Sequence, residues 1–345
     1  MKFTKAWEYA CGQGYIWNMS ADHRYLAVVA PHMADNAVHV VDIVTGRRIA
    51  RIAVGDSVHS VAVIDTGEIL LARGARNEAT SQEPRVWLER PGRFQQPPRE
   101  LYISNQWPKY DQTLLFGRIT LMSPGSTGRR ALISGMSDRV DTKGFLLLAS
   151  WGEEREQDSE PQVRLLYSGI DEAPWDLEQK GNQVYIATGK AGTVEVFDVE
   201  KQQFGEPLPS PSTDVFSPTK LTVTDRFVVA ASYNEIFCWE GNDFKRQMTV
   251  SESHASINGL STLEKDIVVY TLTSSNEVAY RDLAVTDEPT KTDPTIPMAN
   301  FQVTDFAKPC WIRAVPADAG SGTPTRLYVT EYLGGRILAI NVVPD

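Results

Sequence analysis

The sequence predicts an all-β fold: a seven-bladed β-propeller whose last blade is closed by the N-terminal strand. Three observations carry this. Short runs rich in β-branched and aromatic residues alternate with Gly, Asn and Asp turns along the whole chain. The runs group in fours, and the groups recur at spacings of roughly 40–60 residues. The last group has three strands, while a spare strand stands ahead of the first.

The clearest group is 173–208. Trp175 to Leu177 begin a strand and Lys180-Gly181-Asn182 is a turn. Gln183–Thr188 is a second strand, Lys190–Gly192 a turn, Thr193–Asp198 a third strand, and Phe204–Leu208 a weaker fourth. One small sheet of this kind cannot bury both faces, so each must stack on the next. The N-terminal run Lys2–Tyr9 is the spare strand. The blades then follow at 15–55, 58–103, 117–169, 174–208, 219–251, 257–297 and 311–345 plus 2–9, in a single domain spanning 1–345. A ring stapled by its first strand leaves no open sheet edge between its ends.

Composition narrows the function classes. With 345 residues and 42% hydrophobic content the chain can bury a large core. Its formal charge of −10 argues against nucleic acid or an anionic membrane as partner, since each needs a basic face. The first residues are too polar for a signal peptide, and no run reaches membrane-spanning length. Three scattered cysteines, Cys11, Cys238 and Cys310, have no metal-ligand spacing and read as reduced and buried, which points to the cytoplasm; a monomer is expected.

The stretches 42–63 and 327–338 resemble the repeats of YVTN-type and lactonase-like (gluconolactonase/strictosidine-synthase-like) β-propellers. The resemblance implies a fold more than an activity, because such propellers include enzymes, binding proteins and scaffolds. An acid ends the third strand in several units (Asp42, Asp198, Glu240, Asp282) and reads as a turn cap.

In a propeller the first strand of each blade lines the central channel, so its starting residues share one funnel. Alignment places Trp17 with Asn18, His59, Arg118, Trp175 with Asp176, Lys220, Asn258, and Trp311 with Arg313 at those starts. Three of the eight tryptophans in matching positions suggest flat apolar contact for a ligand, with polar groups to orient it. The inter-blade stretches around 104–116, 209–218 and 286–309 add Trp107, Tyr110, Phe116, Phe216, Phe301 and Phe306.

These residues lead to an enzyme of metabolism acting on a small apolar or lactone-like metabolite; natural-product or terpenoid biosynthesis enters by analogy with similar propellers in such pathways. His59 and Asp176 are the acid–base candidates, and Arg118, Lys220 or Arg313 would stabilise developing negative charge. Isomerisation, cyclisation and hydrolysis all fit. A non-catalytic scaffold binding protein partners is the alternative. A second alternative comes from the resemblance: lactonase-like relatives hold a divalent cation with Glu, Asn and Asp, for which Asn18, Asp176 and Asn258 are candidates. The stretch 256–260 resembles the Asn-Gly strand start of those enzymes. The acidic ligand expected in the first blade is missing, and three cations stand nearby, so no metal or other cofactor is expected, with Ca²⁺ as the exception to test.

Overall fold

Seven small antiparallel sheets form a ring in the computed structural model. It describes all residues except 13, 17, 31–36, 55–57, 65, 75–84, 91–97, 104–113, 126–127, 138–143, 153–161, 171–173, 212–215, 251–255, 286–293, 302–305, 307, 319–321 and 344–345. For 59, 102–103, 114–117, 121–125, 128, 137, 167–170 and 190 the description covers the backbone alone.

The inner strands, in blade order, are Asn18–Ala21, Val58–Val63, Leu114–Gly125, Asp176–Lys180, Lys220–Val223, Ile257–Glu264 and Pro309–Val315. The second strand of each blade lies between neighbours on both faces. It therefore reads as a nearly continuous apolar run instead of an alternating one: Phe227–Ser232 is buried at every position. Outer strands face water on one side, as in Asp243–Thr249, where charged and apolar residues mix. Among the described residues seven buried apolar clusters form, one at each blade junction. The cluster that joins the seventh blade to the first contains Val315, Tyr328 and Ile337 with Leu26, Val28 and Ile43. Closure of the ring is thus a hydrophobic contact as well as a hydrogen-bonded one.

The N-terminal strand Lys2–Ala10 pairs antiparallel with Arg336–Val343 as the outermost strand of the last blade. Three details differ from the sequence expectation. Tyr102–Ile103, assigned above to the second blade, runs parallel to Gln162–Ile170 and forms a fifth strand on the third. The stretch 286–309, read above as inter-blade, holds a 3₁₀ turn, Met298–Phe301, and overlaps the sixth blade's outer strand, Thr295–Pro297, which lies within the 257–297 bounds given for that blade. Phe216, Phe301 and Phe306 are buried, the first in the junction of blades 4 and 5 and the other two in that of blades 6 and 7. There they substitute for core instead of facing a ligand.

Three of the four turn acids cap their turns. The Oδ1 of Asp42 accepts from Val44 and Thr45 N–H, that of Asp198 from Lys201 N–H, and that of Asp282 from Ala284 N–H. Glu240 instead pairs with Arg226 at 3.1 Å. All three cysteines are buried thiols.

Candidate functional site

Polar side chains on the inner strands tie each blade to the next. Ser20 Oγ accepts from Val63 N–H at 3.0 Å, and Thr120 Oγ1 donates to the Leu177 carbonyl at 2.7 Å. Thr222 Oγ1 accepts from Thr262 N–H at 3.0 Å, and Ser261 Oγ from Ala314 N–H at 3.1 Å. Asp176 belongs to this series. Its Oδ2 accepts from Leu221 N–H on the next blade at 3.0 Å, and its Oδ1 accepts from Leu177 N–H at 3.1 Å. A carboxylate suits the place because it can serve both donors at once and still face a cation.

That cation is Arg118, whose Nε lies 3.1 Å from Asp176 Oδ1 and whose Nη1 donates to Asn18 Oδ1 at 2.9 Å. The guanidinium carbon is also 5.4 Å from the centre of the Trp311 ring, and Lys220 Nζ is 3.7 Å from the same ring. Residues from blades 1, 3, 4, 5 and 7 therefore meet at one level of the channel. Burial holds the Lys220 ammonium below the ordinary lysine range; the Asp176 carboxylate pulls it back up and Arg118 pushes it further down.

Side chains along a strand alternate, so the next position facing the same way is two residues on. From Arg118, Asp176 and Trp311 that step leads to Thr120, Glu178 and Arg313. Arg313 Nη1 lies 3.4 Å from Glu178 Oε1. A cavity of about 210 Å³ opens at this second level, with Ser20, Arg118, Thr120, Glu178 and Arg313 among its lining. Burial raises the Glu178 carboxyl above the usual carboxylate range; Arg313 opposes that, Asp176 adds to it and Arg118 opposes it. The sequence reading passed over Glu178. The signal was there in the period of two: the same step that paired Trp311 with Arg313 applies from Asp176.

The remaining expected residues are spread more widely. Trp175 sits at the start of its strand, half exposed, against Gly189. Gly189 has φ +64°, and a Cβ there would fall 2.4 Å from Trp175 Nε1, so the ring's seat requires glycine. Asn258 Nδ2 donates to Thr273 Oγ1 at 2.7 Å, which in turn donates to the Pro309 carbonyl at 2.6 Å, so its amide is engaged between blades 6 and 7. Gly259 beside it has a packing reason: a Cβ would fall 2.4 Å from the Cys310 carbonyl oxygen. The Asn-Gly strand start is explained by that close approach. Among the described residues no group of three or more His, Cys, Asp or Glu side chains is placed to hold a metal ion. Trp17, Trp107 and Tyr110 lie outside the described residues. His59 and Phe116 lie in the inner strands of blades 2 and 3, with their side chains outside the description.

No family model matches the chain, and no curated protein matches it. Among solved structures it is similar to a streptogramin B lyase, at 13% identity and a TM-score of 0.63, covering 99% of this chain and 98% of that one. It is also similar to the selenomethionine-substituted virginiamycin B lyase from Staphylococcus aureus (10%, TM-score 0.65, 99% and 100%). A third neighbour is the WD40 β-propeller domain of Doa1 (12%, TM-score 0.62, 99% and 98%). These are seven-bladed β-propellers, and at such identities the likeness speaks for the fold alone. The finer resemblance to YVTN-type and lactonase-like repeats has no family match behind it. Among the described residues no helix is long and apolar enough to cross a membrane.

Proposed function

We propose that the protein is a small-molecule enzyme that works by proton transfer in the central channel, with Glu178 as base and Lys220 as acid. One observation carries this reading: burial pushes a carboxyl up and an ammonium down at successive levels of one channel, and the carboxyl, Glu178, lines a cavity together with Arg118, which shares the Trp311 ring with Lys220. Groups shifted toward neutrality from opposite sides are what acid–base chemistry near pH 7 requires. Arg118 and Arg313 would steady negative charge that develops on the substrate. Isomerisation, cyclisation, elimination and hydrolysis share this demand, and two of the structural neighbours are named as lyases. The apolar substrate expected from the tryptophans is revised in one respect. The channel level that holds Trp311 is charged, so a polar group of the substrate points inward while its apolar body rests toward Trp175.

Binding of a protein partner is the second reading. Tyr15, Tyr332 and Leu333 are exposed, Tyr15 and Tyr332 stack edge to face with centroids 5.0 Å apart, and both lie on the face where the inner strands begin. A thermal-shift screen of the purified chain against metabolites and divalent cations, followed by turnover assays on the hits, separates the readings. A ligand at about one hundred times its dissociation constant adds roughly 2.7 kcal/mol. Shifts lost in Glu178→Gln support the enzyme. Silence across the panel, with retention of a protein partner that Tyr332→Ala releases, supports the scaffold.

A further inference from the structure

The charges of the two channel levels, taken together, do not cancel. Arg118, Lys220 and Arg313 face Asp176 and Glu178, leaving one cation in excess among the described residues. Arg313 and Glu178 answer each other. Asp176 is the carboxylate beside Lys220, and both its oxygens are already taken: Oδ1 by Leu177 N–H and Arg118, Oδ2 by Leu221 N–H. Lys220 Nζ lies over the Trp311 ring and makes no hydrogen bond to a described residue. Arg118 spends Nε on Asp176 and Nη1 on Asn18, which leaves Nη2 with no hydrogen bond to a described residue. The neighbouring Cys310 thiol is pushed up to about 11 by burial and stays neutral. Two cations thus share one aromatic ring beside a carboxylate, Asp176, that already accepts from two backbone N–H groups, in a chain whose overall charge is −10.

We infer that this level, between Arg118 of blade 3 and Lys220 of blade 5 and against Trp311, binds an anionic oxygen group, a carboxylate or phosphate carried by the ligand. The inference rests on the proposed small-molecule site and names the group by which its ligand is anchored. An oxyanion would supply acceptors to Lys220 Nζ and Arg118 Nη2 together. It would also balance the surplus charge in a setting where water screens it poorly. Trp311 offers a flat wall for whatever carries the anion.

The test compares isosteres. Calorimetric titration of the full chain with benzoate and with neutral benzamide, and with inorganic phosphate against sodium chloride of equal ionic strength, separates charge from shape and carboxylate from phosphate. The inference expects binding of benzoate, phosphate or both, and at least about tenfold weaker binding of benzamide and of chloride. It expects Lys220→Gln to weaken the anion by about tenfold or more and Lys220→Arg to retain it. Because Arg118 also braces Asp176, its replacement can unfold the ring; Lys220→Gln therefore carries the test, with its melting temperature as control. Benzamide binding as tightly as benzoate, anion binding unchanged in folded Lys220→Gln, or no anion binding at all overturns the inference. If screened neutral ligands bind with dependence on Glu178 while anions do not, the proposed enzyme stands and this anchor falls. Lys220-dependent anion binding without turnover of any hit leaves the anchor standing and removes the enzyme.

Discussion

Two levels of the channel, one step apart along the same strands, carry the same kind of ion pair put to different use. At the upper level Asp176 and Arg118 have side chains 3% and 14% exposed, and Asp176 also receives two backbone N–H groups, one from the next blade. At the lower level Glu178 and Arg313 are 18% and 38% exposed and meet end to end at 3.4 Å. The first pair is built into the joint between blades. The second borders a cavity. Asp176 is tied to backbone N–H groups on two blades, whereas the one recorded side-chain partner of Glu178 is Arg313 at the cavity.

The largest effect expected from this difference is on stability. Asp176→Ala leaves Arg118 uncompensated and the Leu221 N–H without its acceptor, so it should cost about 3 kcal/mol or more in urea denaturation. Glu178→Gln should cost no more than about 1 kcal/mol, because its partner retains access to water. Equal losses would erase the distinction between the levels. Next comes Gly259→Ala, which forces a Cβ against the backbone of the seventh blade and should lower stability by about 2 kcal/mol. Asn258→Ala, which removes a hydrogen bond and no close approach, should cost about 1 kcal/mol. The reverse order would mean that the Asn-Gly start is kept for its amide.

The smallest effects are shifts in pH dependence, and their signs are fixed. With Glu178 raised by burial, activity should fall as pH drops through a value above the ordinary glutamate range. With Lys220 lowered, activity and anion binding should fall as pH rises through a value below the ordinary lysine range. Arg118, Asp176 and Cys310 are the charged and titratable neighbours that tune that second limb. Arg313→Met removes a cation that lowers the Glu178 pKa, so the acid limb should move to higher pH while the basic limb stays. Carbon-detected titration of labelled glutamate reads the same shift without a substrate.

The ring was legible because propeller physics repeats itself: apolar second strands, turn residues at fixed offsets and a missing last strand matched by a spare first one. Tyr102–Ile103 was not, because two residues next to a blade boundary carry no pattern that says which sheet they join. Within the candidate site, the sequence places Arg118, Asp176, Lys220, Trp311 and Arg313 at or near strand starts, and the structure brings their side chains close together. Their division of labour was not legible, since backbone N–H partners such as Leu221 leave no trace in side-chain identity. Loop aromatics misled for a related reason. Phe216 and Phe306 fill blade junctions, and in one dimension a core-filling loop residue looks like a ligand-facing one.

The central claim, that Glu178 does chemistry while Asp176 holds the ring, is tested most directly by Glu178→Gln assayed for both stability and turnover of the ligand returned by the screen. The account predicts unfolding within about 1 kcal/mol of the unaltered protein and turnover reduced by about a hundredfold or more. Turnover that survives the substitution, or a loss of stability matching that of Asp176→Ala, would contradict it.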